Sequence, residues 1–205
     1  SAGLPSIALR VPSHPVAQDL LREFGRPIAA PSANASGRIS PTTSAHVRHS
    51  LGHKVDLILE GGPSRVGLES SVVSFLDDTP QLLRPGGISS AALEECLGLK
   101  LKSATNGPPH SPGQLQSHYA PTARLRLNAV APQSGEIFLG FGDVGHGSYT
   151  LSSSGNMREA AANLFRLLHE LDAAGAAQIA VAPIPDEGLG QAINDRLARA
   201  AASRP

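Results

Sequence analysis

The stretch Pro31-Ser32-Ala33-Asn34-Ala35-Ser36-Gly37, running on to Ser40-Pro41-Thr42, gathers hydroxyls, an amide and a glycine into one short segment. It follows the apolar run Pro27-Ile28-Ala29-Ala30 and precedes a helical pattern, which places it at a strand–loop–helix junction. Such a junction lets backbone N–H groups and neutral side-chain donors come close to a phosphate or a carboxylate. An ordinary capped loop has the same composition. The segment therefore becomes informative through its company along the chain.

That company has five members. Arg10-Val11-Pro12-Ser13-His14-Pro15 puts an arginine at a strand end, and Gly67-Leu68-Glu69-Ser70-Ser71-Val72-Val73 opens a strand with serines. Leu83-Arg84-Pro85-Gly86-Gly87 is a second strand-end arginine with glycines behind it. Ser111-Pro112-Gly113 and His118-Tyr119-Ala120-Pro121 lie in a Pro-rich stretch, and Gly188-Leu189-Gly190-Gln191-Ala192-Ile193-Asn194-Asp195-Arg196-Leu197 comes near the end. Taken singly, each reads as a solvent charge, a cap or a turn.

Other motifs tempt more than they carry. Gly140-Phe141-Gly142-Asp143-Val144-Gly145 spells a dinucleotide fingerprint after a strand, but Tyr149-Thr150-Leu151 reads as extended where that fingerprint needs a helix. It is read as a structural glycine loop. His46, His49 and His53 share a helical region, yet Gly52 interrupts it and no carboxylate or thiol completes a ligand set. They are read as solvated surface residues. Neither a Walker A motif, nor HExxH, nor a GxSxG elbow is present, and no nucleophilic serine set suggests itself.

Together and in this order, the Ser-Ala-Asn loop and its companions resemble the threonylcarbamoyl-AMP synthases, the YrdC-like family, in its two-domain variety. The resemblance runs along essentially the whole chain. It implies joining of L-threonine, bicarbonate and ATP into threonylcarbamoyl-adenylate with release of pyrophosphate. Partner proteins would then transfer the threonylcarbamoyl group to an adenosine beside the tRNA anticodon. It further implies that Arg10, Ala30 and Ser70 face the threonine. Ser6, Ser32, Asn34, Ser40 and Arg84 would contact ATP or the adenylate, and Tyr119 would fold over the nucleotide as a lid. Mg²⁺ would come with ATP, held mostly by phosphate oxygens. No residue is assigned as acid, base or nucleophile, because positioning and charge stabilisation do most of such a transfer.

The elements that must position these residues follow from periodicity. Strands are expected at 6–11, 27–30 and 55–59, and a strand pair at 71–76 and 81–83 around Asp77-Asp78-Thr79-Pro80. Helices are expected over Val16–Phe24 with Gly25 as cap, over Thr42–Leu51, and over 91–97 with Ser89 as N-cap. Residues 103–122 are Pro/Gly-rich and read as a linker. Beyond it, strands at 125–127, 136–141 and 178–182 alternate with helices at 157–174 and 191–201, a pattern of a small three-layer Rossmann-like unit. The fold expected is α/β: a partial YrdC-like twisted-sheet domain over 1–102, a linker over 103–123, and a Rossmann-like domain over 124–205. The second domain is expected to anchor the linker and tune closure. Its Asn194-Asp195-Arg196 is read as a polar end exposed to solvent, because surface ion pairs are the default there.

Bulk composition narrows the class. Lys+Arg and Asp+Glu both number 17, and aromatics are 3% with no Trp, so neither a polyanion bias nor a base-stacking platform is visible. No direct, stable nucleic-acid binding is expected. The lone Cys96 permits no intrachain disulfide and is read as buried in a helix. No membrane span or leader is visible, which fits a cytoplasmic protein. Residue 1 is Ser and the sole methionine is Met157, so the chain is read as lacking an N-terminal portion. The Lys/Arg cluster that the family carries in that portion has no match. Two other readings stand beside the synthase: a non-catalytic RNA- or nucleotide-binding remnant, and a related carbamoyl-transferring maturation factor. The second domain and the SPG…HYAP stretch count against the latter.

Overall fold

The computed structural model describes residues 6–103, 117–144 and 149–203. The first half opens with helix α1 (Pro15–Phe24), which ends where Gly25 turns left-handed and donates its N–H to the Leu21 carbonyl. Helix α2 (Ser44–Leu51) is capped by Thr43, whose side chain accepts from the His46 N–H, and a single 3₁₀ turn follows at Gly52–Lys54. Strands β1 (Val72–Ser74) and β2 (Gln81–Arg84) pair antiparallel, and β3 (Lys102–Ser103) runs parallel to β2. Between them helix α3 (Ser90–Leu97) starts at Ser89, which caps the Ala92 N–H.

Three expected strands do not form. Residues 6–11, 27–30 and 55–59 join no ladder among the described residues, and a strand exists only through bonds to a neighbour. Cys96 is exposed rather than buried, because α3 turns Leu93 and Leu97 inward and Cys96 outward.

The second half holds a four-stranded, all-parallel sheet in the order β4-β7-β5-β6, built from Arg124–Arg126, Gln178–Val181, Ile137–Gly140 and Tyr149–Thr150. Helix α4 (Met157–Ala173) is capped by Asn156, and α5 (Leu189–Ala201) follows β7. Leu139, Ile179 and Val181 point to one face of the sheet, where they meet Leu164, Leu168 and Leu171 of α4 and Ile193 and Leu197 of α5. Phe138, Ala180 and Ala182 point to the other and, among the described residues, pack with Ala129, Phe141 and Val144. This alternation follows the two-residue period of a strand. It corrects the three-layer expectation: among the described residues both helices pack on one face, and the alanines opposite leave little for a third layer to bury. The glycine run after β5 leads into β6 and not into a helix; Gly145 itself, like Ser111-Pro112-Gly113, lies outside the described residues.

Candidate functional site

The site is assembled by two interlocking turns. Arg84 ends β2, and its guanidinium reaches back to the Ser70 carbonyl from Nη2 at 2.9 Å and Nε at 3.2 Å. Behind it, Gly86 lies so close to the 69–71 backbone that a Cβ would sit 2.3 Å from the Ser71 nitrogen and 2.4 Å from the Glu69 oxygen. Only glycine allows that approach. The Gly87 N–H then bonds the Glu69 carbonyl, and the Ser71 hydroxyl donates to the Ile88 carbonyl at 2.6 Å. The paired motifs Leu83–Gly87 and Gly67–Val73 are therefore one structural unit.

Opposite this unit runs Ser40-Pro41-Thr42, held from several sides. The Ser40 hydroxyl donates to Glu69 at 2.5 Å, and the Ser40 carbonyl accepts from His169 Nε2 of α4 at 3.0 Å. The Thr42 N–H donates to His46 Nδ1 at 3.2 Å, and the Thr42 carbonyl accepts from the Ser64 N–H. His46 and His169 stack with ring centroids 3.9 Å apart. His46 is thus a packed residue and not the solvated one expected; burial first, then the neighbouring His169 and His49, hold it down at about 4. His49 and His53 are exposed, as expected.

Ser32, Ala33, Ser40, Thr42, Ser64, Glu69 and Phe165 line a hollow of about 180 Å³. A larger cleft, about 720 Å³, opens on the other side of the loop between Arg38, His46, Arg166 and His169. Of the residues implied by the resemblance, Ser32 and Ser40 line the smaller one. Ser40 bonds Glu69 and Arg84 bonds the adjacent Ser70, whereas Ser6, Arg10 and Ala30 lie on segments 6–11 and 27–30, with Arg10 and Ala30 exposed. Arg10 is exposed, but its charge still reaches Arg84, whose own proton affinity is lowered, first by burial. Asn34 is buried; its amide nitrogen donates to the Ala35 and Arg38 carbonyls, which shapes the loop and leaves Oδ1 without a partner.

Tyr119 is not a free flap. It is 1% exposed, its ring lies 5.5 Å from Phe165, and its φ is 63°. The end of the presumed linker is packed here: the Ala120 N–H bonds the Gly37 carbonyl, and Asp172 of α4 accepts from the Thr122 N–H at 2.6 Å. Sequence reasoning also missed Glu69 and Arg196. Arg196 is fully buried, with Nε 2.8 Å from Glu69, Nη1 2.7 Å from Asp195, and its guanidinium carbon 5.4 Å from the Tyr119 ring centre. Burial, the largest single influence, would lower its proton affinity, but Glu69, Tyr119 and Asp195 together raise it. For Glu69, burial pushes the carboxyl up while Arg196 and Ser40 pull it below its ordinary value. The signal for Arg196 was its position among Ala192, Ile193, Leu197 and Ala200 on the apolar stripe of α5.

This is a two-domain α/β protein in which a parallel-sheet domain packs against a hollow lined by hydroxyls and one carboxylate. The Sua5/YciO/YrdC family model, described as "Telomere recombination", matches residues 1–86, and the model of the threonylcarbamoyl-AMP synthase C-terminal domain matches residues 88–202. The chain belongs to the threonylcarbamoyl-AMP synthase family. It is 40% identical to the Bacillus subtilis (strain 168) threonylcarbamoyl-AMP synthase, across 100% of this chain and 65% of that protein. To the Pyrococcus abyssi threonylcarbamoyl-AMP synthase it is 34% identical, across 100% of this chain and 66% of the relative. The chain thus spans just under two thirds of these relatives. A crystal structure of P. abyssi Sua5 complexed with L-threonine superposes with a TM-score of 0.85 at 32% identity, covering 97% of this chain and 65% of that one.

Proposed function

We propose that this chain carries a large part of the substrate pocket of an L-threonylcarbamoyladenylate synthase. The observation that carries the reading is the hollow lined by Ser32, Ser40 and Glu69, with Phe165 of its wall packed on Tyr119 and Arg84 bonded to the Ser70 carbonyl beside Glu69, in a chain of this family. L-Threonine, bicarbonate and ATP are the substrates. An oxygen of threonine carbamate attacks the α-phosphorus of ATP; the P–O bond to pyrophosphate breaks, and pyrophosphate leaves with the electron pair. The product passes to proteins that transfer the threonylcarbamoyl group to tRNA, in the cytoplasm.

Each group has work suited to its chemistry. Arg10 pairs with the threonine carboxylate, while Ala30 and Ser70 line its side chain. Arg84 is steadied by Ser70 and faces the nucleotide with its charge intact. Ser6 and Ser32 donate to phosphate or sugar oxygens, while Ser40, whose proton goes to Glu69, accepts from a ribose hydroxyl. Asn34 has only its acceptor Oδ1 open, which suits a ribose hydroxyl or an amino group rather than a phosphate. Tyr119, whose phenol is pushed up chiefly by burial, stays a protonated donor and excludes water from the labile mixed anhydride. Mg²⁺ enters with ATP and supplies charge neutralisation of the triphosphate. It would be held mostly by phosphate oxygens. The protein's share is positioning.

Calorimetric titration of the chain with ATP–Mg²⁺, L-threonine and a non-hydrolysable threonylcarbamoyl-adenylate mimic tests this. The mimic is expected to bind, and Arg84→Ala to weaken it by about tenfold or more, the value of one charge-assisted contact. A chain that unfolds cooperatively but binds none of the three would overturn the reading.

A further inference from the structure

Three features that work against stability meet in one seam. Arg196 is a fully buried guanidinium, and its Nη2 has no hydrogen-bond partner. Tyr119 beneath it is equally buried, and its hydroxyl is also unpartnered. The same tyrosine holds a left-handed φ of 63°, a conformation that a bulky side chain adopts only where its surroundings impose it. A buried ion pair stabilises a fold no better than apolar residues of the same volume, so an arginine on the apolar stripe of α5 calls for another reason.

The connections supply that reason. Glu69 uses one oxygen for Arg196 and the other for the Ser40 hydroxyl, so a helix of the second domain is one carboxylate away from the hollow in the first. Phe165 of α4 lines the same hollow and packs on Tyr119. Gly67 lets the two halves approach this closely: a Cβ there would lie 2.3 Å from the Ala161 carbonyl oxygen of α4. Arg196 pairs with Glu69 and Arg84 bonds the carbonyl of the next residue, Ser70, so two guanidiniums anchor on adjacent residues. Asp195 is divided between Arg196 and Arg199. The cationic excess suits an anionic ligand.

We infer that Arg196 is a positioning residue for the pocket: through Glu69 it fixes the Ser40 hydroxyl, and through its guanidinium face it seats the Tyr119 ring. The pocket's geometry is thereby set from the second domain. The inference rests on the reading of the hollow as a nucleotide site, and the test separates the two. The 205-residue chain is compared with Arg196→Met, Glu69→Gln and the double variant by ATP–Mg²⁺ titration, L-threonine titration and amide hydrogen exchange without ligand. Glu69→Gln leaves α5 intact and serves if Arg196→Met does not fold.

ATP affinity is expected to fall about tenfold or more in each single variant, with threonine affinity within about twofold. The double variant is expected to be no worse than the weaker single one, because the two residues act as a unit. Exchange should quicken at 39–42 and 118–121 while the α4 core around Leu164 and Leu168 keeps its protection. Unchanged ATP affinity in both single variants overturns the inference. So do additive losses, or a loss of protection that spreads evenly through α4, which is the mark of a merely structural role. If the unaltered chain binds neither ligand, the nucleotide reading falls; the exchange pattern then still decides whether Arg196 holds Ser40 and Tyr119.

Discussion

Tyr119 combines a buried aromatic ring, an unpartnered hydroxyl and a strained backbone, and these three separate by substitution. Tyr119→Phe keeps the ring against Phe165 and removes a buried polar group with no partner in the free protein. Such a group costs about 1–3 kcal/mol, so Tm is expected to hold or rise while affinity for the adenylate mimic falls. A fall in Tm would show that the hydroxyl is satisfied without ligand. Tyr119→Ala also opens a cavity, costing about 3–5 kcal/mol for an aromatic side chain, and should weaken the mimic more than threonine. Equal losses in both would count against the lid role. Residues of this kind differ in how far the sequence announces them. Arg84 was legible because Pro85-Gly86-Gly87 punctuates the strand end behind it. Glu69 and Arg196 were not, because a carboxylate in a loop and an arginine in a helix are solvated by default, and only their meeting across the chain makes them matter.

The Ser40–Thr42 segment depends on two helices at once, through His46 of α2 and His169 of α4. The Thr42 N–H needs a lone pair on His46 Nδ1, and a second positive ring stacked on His169 would add repulsion. Folding therefore lowers the affinity of His46 for a proton, from 6.5 to about 4, while the unfolded chain keeps the ordinary value. Protons bind the unfolded state more strongly in that window, so this contribution is full above pH 6.5 and is lost as pH falls toward 4. His169 is shifted in the same direction, chiefly by burial. The expected outcome is a Tm that is flat from pH 8 to 7 and drops between 6.5 and 4.5, by about 2–4 °C because the ring is only part-buried and screened. His46→Gln should flatten the profile, and an unchanged slope would remove His46 as the cause. Sequence periodicity located α1, α2, α3 and α4 within a residue or two, because Gly25, Thr43, Ser89 and Gly175 punctuate them locally. The runs 6–11, 27–30 and 55–59 misled for the opposite reason: β-propensity is local, whereas a ladder needs a partner from elsewhere.

Across the whole molecule the core is unevenly shared. Among the described residues before Tyr119, Ile39 alone joins the buried hydrophobic core; the rest come from Tyr119 onward. The parallel sheet with α4 and α5 is a self-sufficient core, and the first half leans on it through Ile39, Leu68, Gly67 and the Glu69–Arg196 pair. That inequality was hidden in composition, since apolar residues occur in both halves; what differs is whether they find partners. Ile7, Leu9, Val11 and Leu57 remain 72%, 87%, 92% and 76% exposed on segments without a ladder. An apolar patch with open backbone groups is a surface for self-association. The chain is therefore expected to bind a hydrophobic dye while folded and to self-associate with rising concentration in sedimentation. Leu9→Lys with Leu57→Lys should lower both signals. Their effect on stability should stay within about 0.5 kcal/mol, the range for exposed positions, because neither residue touches the core around α4. Dye binding that persists in the double variant would mean that the exposed surface lies elsewhere. A large fall in Tm would mean that these segments are packed in solution against a part of the chain that now leaves them bare.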